Sequence, residues 1–244
     1  MRLVRALVTA GGLLALWQLI VWATEAPPYI LPAPDRVAAA FVARIDLLLA
    51  NAWVTALEIV LGIVIGTLLG TASALLLASF APLRRWLLPV LVMTQALPVF
   101  ALAPILVLWL GYGLASKVAM AVLIIFFPVT AAFLDGLART SPGWLELART
   151  MNASPGAMLW HIRVPAALPA LASGIRVAAA VAPIGAVVGE WVGSSAGLGY
   201  LMLQANGRMQ VDLMFAALLL LCAMALLLYF ALDHGLRRLT RWQA

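Results

Sequence analysis

Charged side chains are scarce in this sequence, and their scarcity excludes a water-soluble fold. Only 10% of the 244 residues are charged, whereas soluble domains carry about 25%. Hydrophobic residues make up 66% of the chain, and the mean hydropathy is +1.10. A soluble domain of this length cannot bury so much apolar surface, so the lipid bilayer must be its solvent.

The sequence also lacks the residue clusters that catalysis and metal binding require. Cys222 is the only cysteine, which excludes an intrachain disulfide, and the two histidines, His161 and His234, lie far apart. No Gly-x-x-x-x-Gly-Lys phosphate loop is present. We therefore expect no catalytic residues, no metal site and no cofactor in this chain.

Long apolar runs dominate what is present. A run of about 20 residues crosses the hydrocarbon core. Six stretches qualify: 6–24, 53–80, 86–110, 118–138, 166–189 and 213–232. The first follows Arg2 and Arg5 as in a signal peptide, but it carries two tryptophans and no small-x-small cleavage site follows it. We expect it to be retained, which predicts an all-α membrane protein with six transmembrane helices.

Basic residues between these runs indicate the orientation of the chain. If the N-terminus is cytoplasmic, ten arginines lie in inner loops and tails, and three arginines with Lys117 lie in outer segments. This bias fits the positive-inside rule and predicts that both termini are cytoplasmic. The basic residues do not form one exposed face, so the net charge of +6 does not indicate a nucleic-acid partner.

A proline-rich passage divides the chain after the first apolar run. Four prolines in 26–34 force an extended entry, and Asp35 is then expected to be the N-cap of an amphipathic helix on the outer surface. We therefore predict two parts. Residues 1–52 contain a transmembrane helix and this external segment, and residues 53–244 form the core.

The longest polar interruption of the core is ELARTMNASPGAMLWHIRVP, residues 146–165. Asn152 can adopt the left-handed conformation that ends a helix, and Ser154 before Pro155 is typical of an N-cap followed by proline at the first helical position. The pattern predicts two short helices joined by a tight turn, the second ending at Pro165. Spacing alone leaves two interpretations open, a projection that docks into another protein or an amphipathic helix on the inner leaflet.

This stretch resembles the cytoplasmic EAA loop of ABC-importer permeases, which has Glu-Ala-Ala, a glycine three residues later and a distant Ile-x-Leu-Pro. Here Glu146-Leu147-Ala148 and Ile162-x-Val164-Pro165 take the first and last places, and Asn152 stands where the glycine belongs. Three more stretches resemble permeases for nitrate, sulfonates, taurine and pyrimidine precursors of thiamine. In chain order they are ILPAPDRVAAAF, QALPVFALAPILVLWLGYG and GEWVGSSAGLGYLM.

The resemblance implies an all-helical permease with the type I ABC importer fold, in the lipid of a bacterial inner membrane. It also implies a homodimer that works with two copies of an ABC ATPase subunit and an external solute-binding protein. The chain itself is then not an enzyme, since the ATPase is a separate subunit. Residues 139–165 become the coupling loop, and its expected ATPase contacts are Glu146, Ala148, Asn152, Ser154, Gly156, Ile162 and Pro165.

Polar and helix-breaking residues inside the spans are candidates for the translocation pathway or its gate. They are Gln95, Pro98, Arg176, Glu190 and Trp191. Breaks such as the one at Pro98 are tolerated where they face protein or a water-filled cavity. For Gln95 the alternative is a hydrogen bond to a neighbouring helix.

The other three candidates lie in or at the end of the fifth run. Arg176 lies about 15 Å into its helix, so we expect it to pair with a carboxylate or to cap helix carbonyls near a gate. We expect Glu190 and Trp191 at the outer mouth of the pathway, where they would suit a flat hydrogen-bonding or cationic ring. The alternative for Trp191 is an anchor in the interfacial aromatic belt.

The transported solute is the least determined feature. The stretch 189–202 most resembles permeases for thiamine precursors of the hydroxymethylpyrimidine type. An importer of alkanesulfonates, taurine or nitrate is the alternative within transport. A membrane-integral enzyme and a non-transporting scaffold are the alternatives from other classes. An enzyme would need a cluster of polar catalytic or metal-binding residues within the membrane, and the sequence shows none.

Overall fold

A computed structural model describes residues 2–239, and every regular element in that range is a helix. The α-helices are α1 (Arg2–Thr24), α2 (Pro34–Ala43), α3 (Ile45–Ser79), α4 (Ala81–Ala96), α5 (Val99–Leu110), α6 (Leu114–Ala138), α7 (Pro142–Thr150), α8 (Pro155–Met158), α9 (Val164–Gly193), α10 (Leu198–Gly207) and α11 (Val211–Leu239). One π-helical turn, Leu159–Arg163, joins α8 to α9. The prediction of an all-α protein is confirmed.

Four helical segments of the described chain are long and apolar enough to cross a membrane, namely α3, α6, α11 and the segment Pro155–Gly193 that ends with α9. Helices α4 and α5 form a fifth apolar pair that is bent by 100°. In α1, the apolar part Val8–Thr24 is shorter than these. Multiple apolar spans are therefore confirmed, while the count of six stays a prediction.

The third apolar run is broken at Pro98, as the sequence indicates, and forms two separate helices. Leu97 ends α4 with an extended backbone, φ −76° and ψ 125°, and Pro98 follows as the N-cap of α5. Proline disfavours a helical conformation in the residue before it and has no amide to donate. Pro98 therefore separates two helices, whereas Pro104 is accommodated inside α5.

The start of α2 also differs from the prediction. Ala33 is the N-cap without a side-chain hydrogen bond, and Pro34 is the first helical residue. Asp35 lies in the first turn, not at the cap. Proline is preorganised for the first helical position, and a carboxylate in the first turn still meets the positive end of the helix.

The chain divides into two compact units. One contains the chain up to Thr55 together with Ser195–Ala223, and the other contains Ala56–Ser194 together with the chain from Met224 onwards. The first unit is held by polar contacts between distant segments. The side chains of Asn51 and Thr55 in α3 accept hydrogen bonds, each 2.8 Å long, from the backbone amides of Gly197 and Leu198 where α10 begins.

In the second unit, three glycines of α3 bring that helix close to α6. A methyl group added at Gly62 would lie 2.5 Å from Cβ of Ala121, and one added at Gly66 would lie 2.7 Å from Cγ2 of Ile125. At Gly70 the added carbon would lie 2.9 Å from a backbone oxygen of α6. The small-xxx-small spacing of α3 thus marks a helix-packing face, and α6 packs most extensively against α9.

Candidate coupling loop and translocation residues

The loop between α6 and α9 has the two-helix form that its sequence predicts. We call residues 142–158, which comprise α7, the turn and α8, the knob. Asn152 has φ +56°, and the amide of Ala153 donates to the carbonyl of Ala148 at 2.9 Å, which closes the end of α7. The Ser154 hydroxyl accepts from the amide of Ala157 at 3.2 Å, and Pro155 is the first helical residue of α8. The cap predictions at Asn152 and Ser154 are confirmed.

The expected ATPase contacts do not all lie on the surface of the knob. Glu146, Asn152, Ser154 and Gly156 are exposed. Ala148 is only 6% exposed and its carbonyl closes the turn, so it stabilises the knob and presents no contact surface. Ile162 and Pro165 are half-buried and lie beyond the knob, in the π-helical turn and the first turn of α9.

Large apolar side chains on the knob were missed by the sequence analysis. Trp144, Leu147 and Met151 are exposed and recur at the spacing of one helix face. Trp160, just after the knob, is also exposed. The sequence indicates this face by apolar residues at intervals of three and four, although the charged residues of the same stretch are more conspicuous. An apolar face on a polar loop is suited to contact with another protein or with lipid.

The knob is joined to α9 without a break. The sequence predicts that the second helix ends at Pro165, and this is wrong. Pro165 lies near the start of α9, directly after the π-helical turn in which the amide of Val164 donates to the carbonyl of Leu159, and the helix continues through it. The second half of the knob and α9 therefore belong to one continuous helical segment, Pro155–Gly193.

Arg163 ties the other end of the loop to α6. Its Nε and Nη2 both donate to the carbonyl oxygen of Leu137 at 3.1 Å, and the Thr140 hydroxyl donates to the same oxygen at 3.2 Å. Carbonyls in the last turn of a helix lack intrahelical partners, and a cation there meets the negative end of the helix dipole. We call Leu137, Thr140 and Arg163 the clasp. It connects residues that are 26 positions apart.

A buried ion cluster joins α3, α6 and α9. The Lys117 ammonium lies 3.9 Å from Oε1 of Glu58 and donates to the backbone carbonyl of Tyr112 at 3.3 Å. The Glu58 carboxylate also contacts the Glu190 carboxyl group. Glu58 is fully buried and Glu190 is 1% exposed, so the three groups face protein and not solvent. The sequence does not reveal this cluster, because its members come from three separate helices.

The cluster bears on two expectations from the sequence. Lys117 was counted among the charges of an outer segment, but it lies in the first turn of α6 and is buried. Glu190 was expected at an open pathway mouth, and its burial beside Glu58 does not fit a carboxylate open to a solute. Its neighbour Trp191 is 42% exposed. The two neighbouring residues therefore have different environments, one buried and one exposed.

Arg176 pairs with a carboxylate, as predicted. Its Nε donates to Oδ1 of Asp233 in α11 at 2.7 Å, and Nε of Arg237 donates to Oδ2 at the same distance. The partner was not identified from sequence because it lies 57 residues away. Asp233 directly follows the predicted apolar run 213–232, so the pairing places Arg176 level with the edge of that run, and not deep in the hydrocarbon core.

The remaining pathway candidates lie at the α4–α5 bend. Gln95 and Pro98 are both exposed, beside the extended residue Leu97. A cleft of about 340 Å³ lies further along α5, and its lining includes Val107, Tyr112 and Val192, the residue after Trp191. Within residues 2–239 no group of three metal-binding side chains occurs together.

Comparison with known proteins identifies related chains. Residues 59–242 match the family described as "Binding-protein-dependent transport system inner membrane component". A probable ABC transporter permease from Haemophilus influenzae is 56% identical, over 97% of both chains. The formylaminopyrimidine transport permease ThiX of Halalkalibacterium halodurans is 34% identical over 92% of both, and the riboflavin transport permease RibX of Chloroflexus aurantiacus is 36% identical over 97% of this chain and 89% of its own. Permeases named for aliphatic sulfonates in Bacillus subtilis and for taurine in Escherichia coli are 27% and 26% identical.

Solved structures confirm the fold. The inward-facing structure of the methionine ABC transporter MetNI contains a chain that superimposes with a TM-score of 0.70. The match covers 80% of this chain and 97% of that one, at 22% sequence identity. The helical arrangement is therefore that of a type I ABC importer permease.

Proposed function

The chain belongs to the family of binding-protein-dependent transport system inner membrane components, and we propose that it carries a small solute with a flat, nitrogen-containing ring. It is the multi-pass permease subunit of an ABC importer. The proposal extends to its partners, which are a second copy of the chain, two ATPase subunits and an external solute-binding protein. The proposed solute is of the hydroxymethylpyrimidine type.

The knob is the proposed site of ATPase docking. Its exposed apolar face offers the buried centre that a protein interface needs, and the exposed Glu146 adds polar contact at the rim. The knob continues into α9, and the clasp attaches the same segment to the end of α6. Closure of the ATPase pair would thus move two packed helices together and shift access to the pathway.

The proposed solute rests mainly on the exposed ring of Trp191 at the end of α9. An indole face stacks well on a flat heterocycle. Two relatives above 30% identity are named for formylaminopyrimidine and for riboflavin, and both compounds contain such a ring. Names of more distant relatives favour the second candidate, a sulfonate or taurine.

Thermal-shift measurements on the solute-binding protein would test the solute class directly. We expect pyrimidines to raise its melting temperature, while taurine, alkanesulfonates and nitrate leave it unchanged. The best pyrimidine should then stimulate ATP hydrolysis and be taken up in proteoliposomes that contain the full complex. Stabilisation by a sulfonate alone would favour the second candidate, and an absence of stimulated ATP hydrolysis would contradict import itself.

Replacement of Trp191 by alanine should slow uptake of a ring-containing solute by about twofold to tenfold, since aromatic stacking contributes roughly 0.5–1.5 kcal/mol beyond area burial. Basal ATP hydrolysis should be unchanged, because the knob and the clasp are untouched. Uptake per folded molecule in proteoliposomes measures this. Trp53→Ala removes another exposed tryptophan, on α3, and is the control. An equal loss in both variants, or none in either, would make Trp191 an interfacial anchor.

The proposed orientation places the knob in the cytoplasm and α2 outside. On a Cys222→Ser background, Gly156→Cys should react with a membrane-impermeant maleimide only after the membrane is opened, and Asp35→Cys should react in intact cells. Both sites are exposed, and a side chain added at Gly156 meets no atom within 4 Å. Labelling with the opposite sidedness would refute cytoplasmic termini.

A further inference from the structure

One cleft of the second unit combines an apolar interior with basic residues at its edge. It lies between α9 and the end of α11 and has a volume of about 300 Å³. Its lining includes Leu168, Leu171, Ala172, Ile175, Leu236 and Arg238. Among these lining residues Ala172 is buried and Arg238 is exposed. The transport function proposed above uses neither the cleft nor Arg238.

The charge beside the cleft is positive. Asp233 is engaged by Arg176 and by Arg237, each at 2.7 Å, so its single negative charge is shared by two guanidinium groups. Arg238 adds a third cation. The four side chains carry three positive charges and one negative charge, which leaves an excess of two positive charges for an anion to balance.

The position of these charges along α11 matches the height of lipid headgroups. Between Asp212 and Asp233 the sequence has 20 consecutive uncharged residues, 213–232. At 1.5 Å per residue they extend about 30 Å, which equals the thickness of the hydrocarbon core. Arg237 and Arg238 therefore lie just beyond the core, and this holds for either orientation of the chain.

From these observations we propose that the cleft binds an anionic phospholipid. One acyl chain occupies the apolar cleft against Ala172, and the phosphate group pairs with Arg238 and Arg237. Basic pockets between transmembrane helices at headgroup level are suited to such lipids. A free phosphate has the same charge but gains nothing from the apolar lining, and a zwitterionic lipid has the chain without the net negative charge. The anionic lipid is the occupant that uses both features.

Native mass spectrometry of the purified permease tests the proposal. The protein is incubated with phosphatidylglycerol or with phosphatidylcholine of the same acyl chains, and retained lipid is counted. We expect preferential retention of phosphatidylglycerol. Arg238→Gln should lower it about fivefold, the equivalent of roughly one arginine contact at a lipid surface. Arg85→Gln, which removes an exposed arginine from α4, should have no effect.

A second pair of variants tests the apolar part of the site. Ala172→Leu enlarges a buried lining residue of the cleft and should reduce retention, whereas Ser173→Leu adds the same side chain at the neighbouring exposed position and should not. Melting temperatures establish whether each variant is folded. If Ala172→Leu does not fold, the effect of Arg238→Gln on lipid retention decides whether the cleft binds an anionic lipid. Equal retention of the two lipids, displacement by millimolar inorganic phosphate, or no effect of Arg238→Gln would overturn the proposal. Because the measurement is of lipid and not of transport, its outcome is independent of the proposed solute.

Discussion

Replacement of Lys117 by methionine is expected to destabilise the protein by about 3–5 kcal/mol, the usual cost of removing one partner from a buried ion pair. Methionine keeps most of the side-chain volume but leaves Glu58 and Glu190 facing each other without a cation. Both carboxylates are almost fully inaccessible to water, so solvent does not replace the lost ammonium group. We expect a large fall in melting temperature and in the yield of folded protein.

Glu58→Gln is the matched comparison for this prediction. It leaves one ammonium group beside one carboxylate, so its loss of stability should be much smaller than that of Lys117→Met. Equilibrium unfolding in mixed micelles compares the two variants with the wild-type protein. If Lys117→Met is as stable as the wild-type protein, or if Glu58→Gln is the more harmful change, the cluster is not held by its cation.

Replacement of Arg163 by glutamine is expected to uncouple ATP hydrolysis from uptake. The clasp contains two charge-assisted hydrogen bonds to the Leu137 carbonyl, and loss of such bonds to a charged group costs about 1.5–3 kcal/mol. If that energy holds α6 to the moving loop, the uptake obtained per ATP should fall about tenfold or more. The exposed knob is unchanged, so binding of the ATPase subunit should persist.

Three variants distinguish this effect from general damage. Arg139→Gln removes an exposed arginine at the end of α6 and should leave coupling intact. Arg163→Lys keeps a cation near the helix end and should recover part of the coupling. Glu146→Arg should instead weaken assembly with the ATPase, because it reverses charge on the proposed docking surface. Uptake and ATP hydrolysis are measured in the same proteoliposomes, which gives the amount of solute taken up per ATP hydrolysed. A wild-type value of this ratio in Arg163→Gln would contradict a coupling role for the clasp.

Local signals predicted local structure well. The left-handed Asn152 and the Ser154 cap were each predicted from a few neighbouring residues, and the glycine face of α3 is visible in the four-residue spacing of its glycines. These features depend on backbone conformation or on side-chain size, which the sequence states directly. Prolines were harder to interpret, because a proline breaks a helix or is accommodated in it according to its place in the turn. Pro98 separates α4 from α5, whereas the helix continues through Pro165 directly after a π-helical turn.

Partnerships between distant side chains required the structure. The cost of burying a charge predicts that Arg176 has a carboxylate partner, but only helix packing shows that the partner is Asp233. Burial of Glu190 was equally hidden, since a carboxylate next to Trp191 at a helix end has the sequence pattern of a solvent-facing pair. The three-helix packing of α3, α6 and α9 turns it towards Glu58 and Lys117.

The sequence by itself therefore determined that this protein lies in lipid, that it is all-helical, how the turn of its knob is capped, and to which family it belongs. Each of these follows from composition, from the period of apolar residues, or from motifs a few residues long. Tertiary structure decided the ion cluster, the clasp and the burial of Glu190 beside an exposed Trp191. These depend on which faces of separate helices meet, and that is set by packing across the whole unit, which no short stretch of sequence specifies.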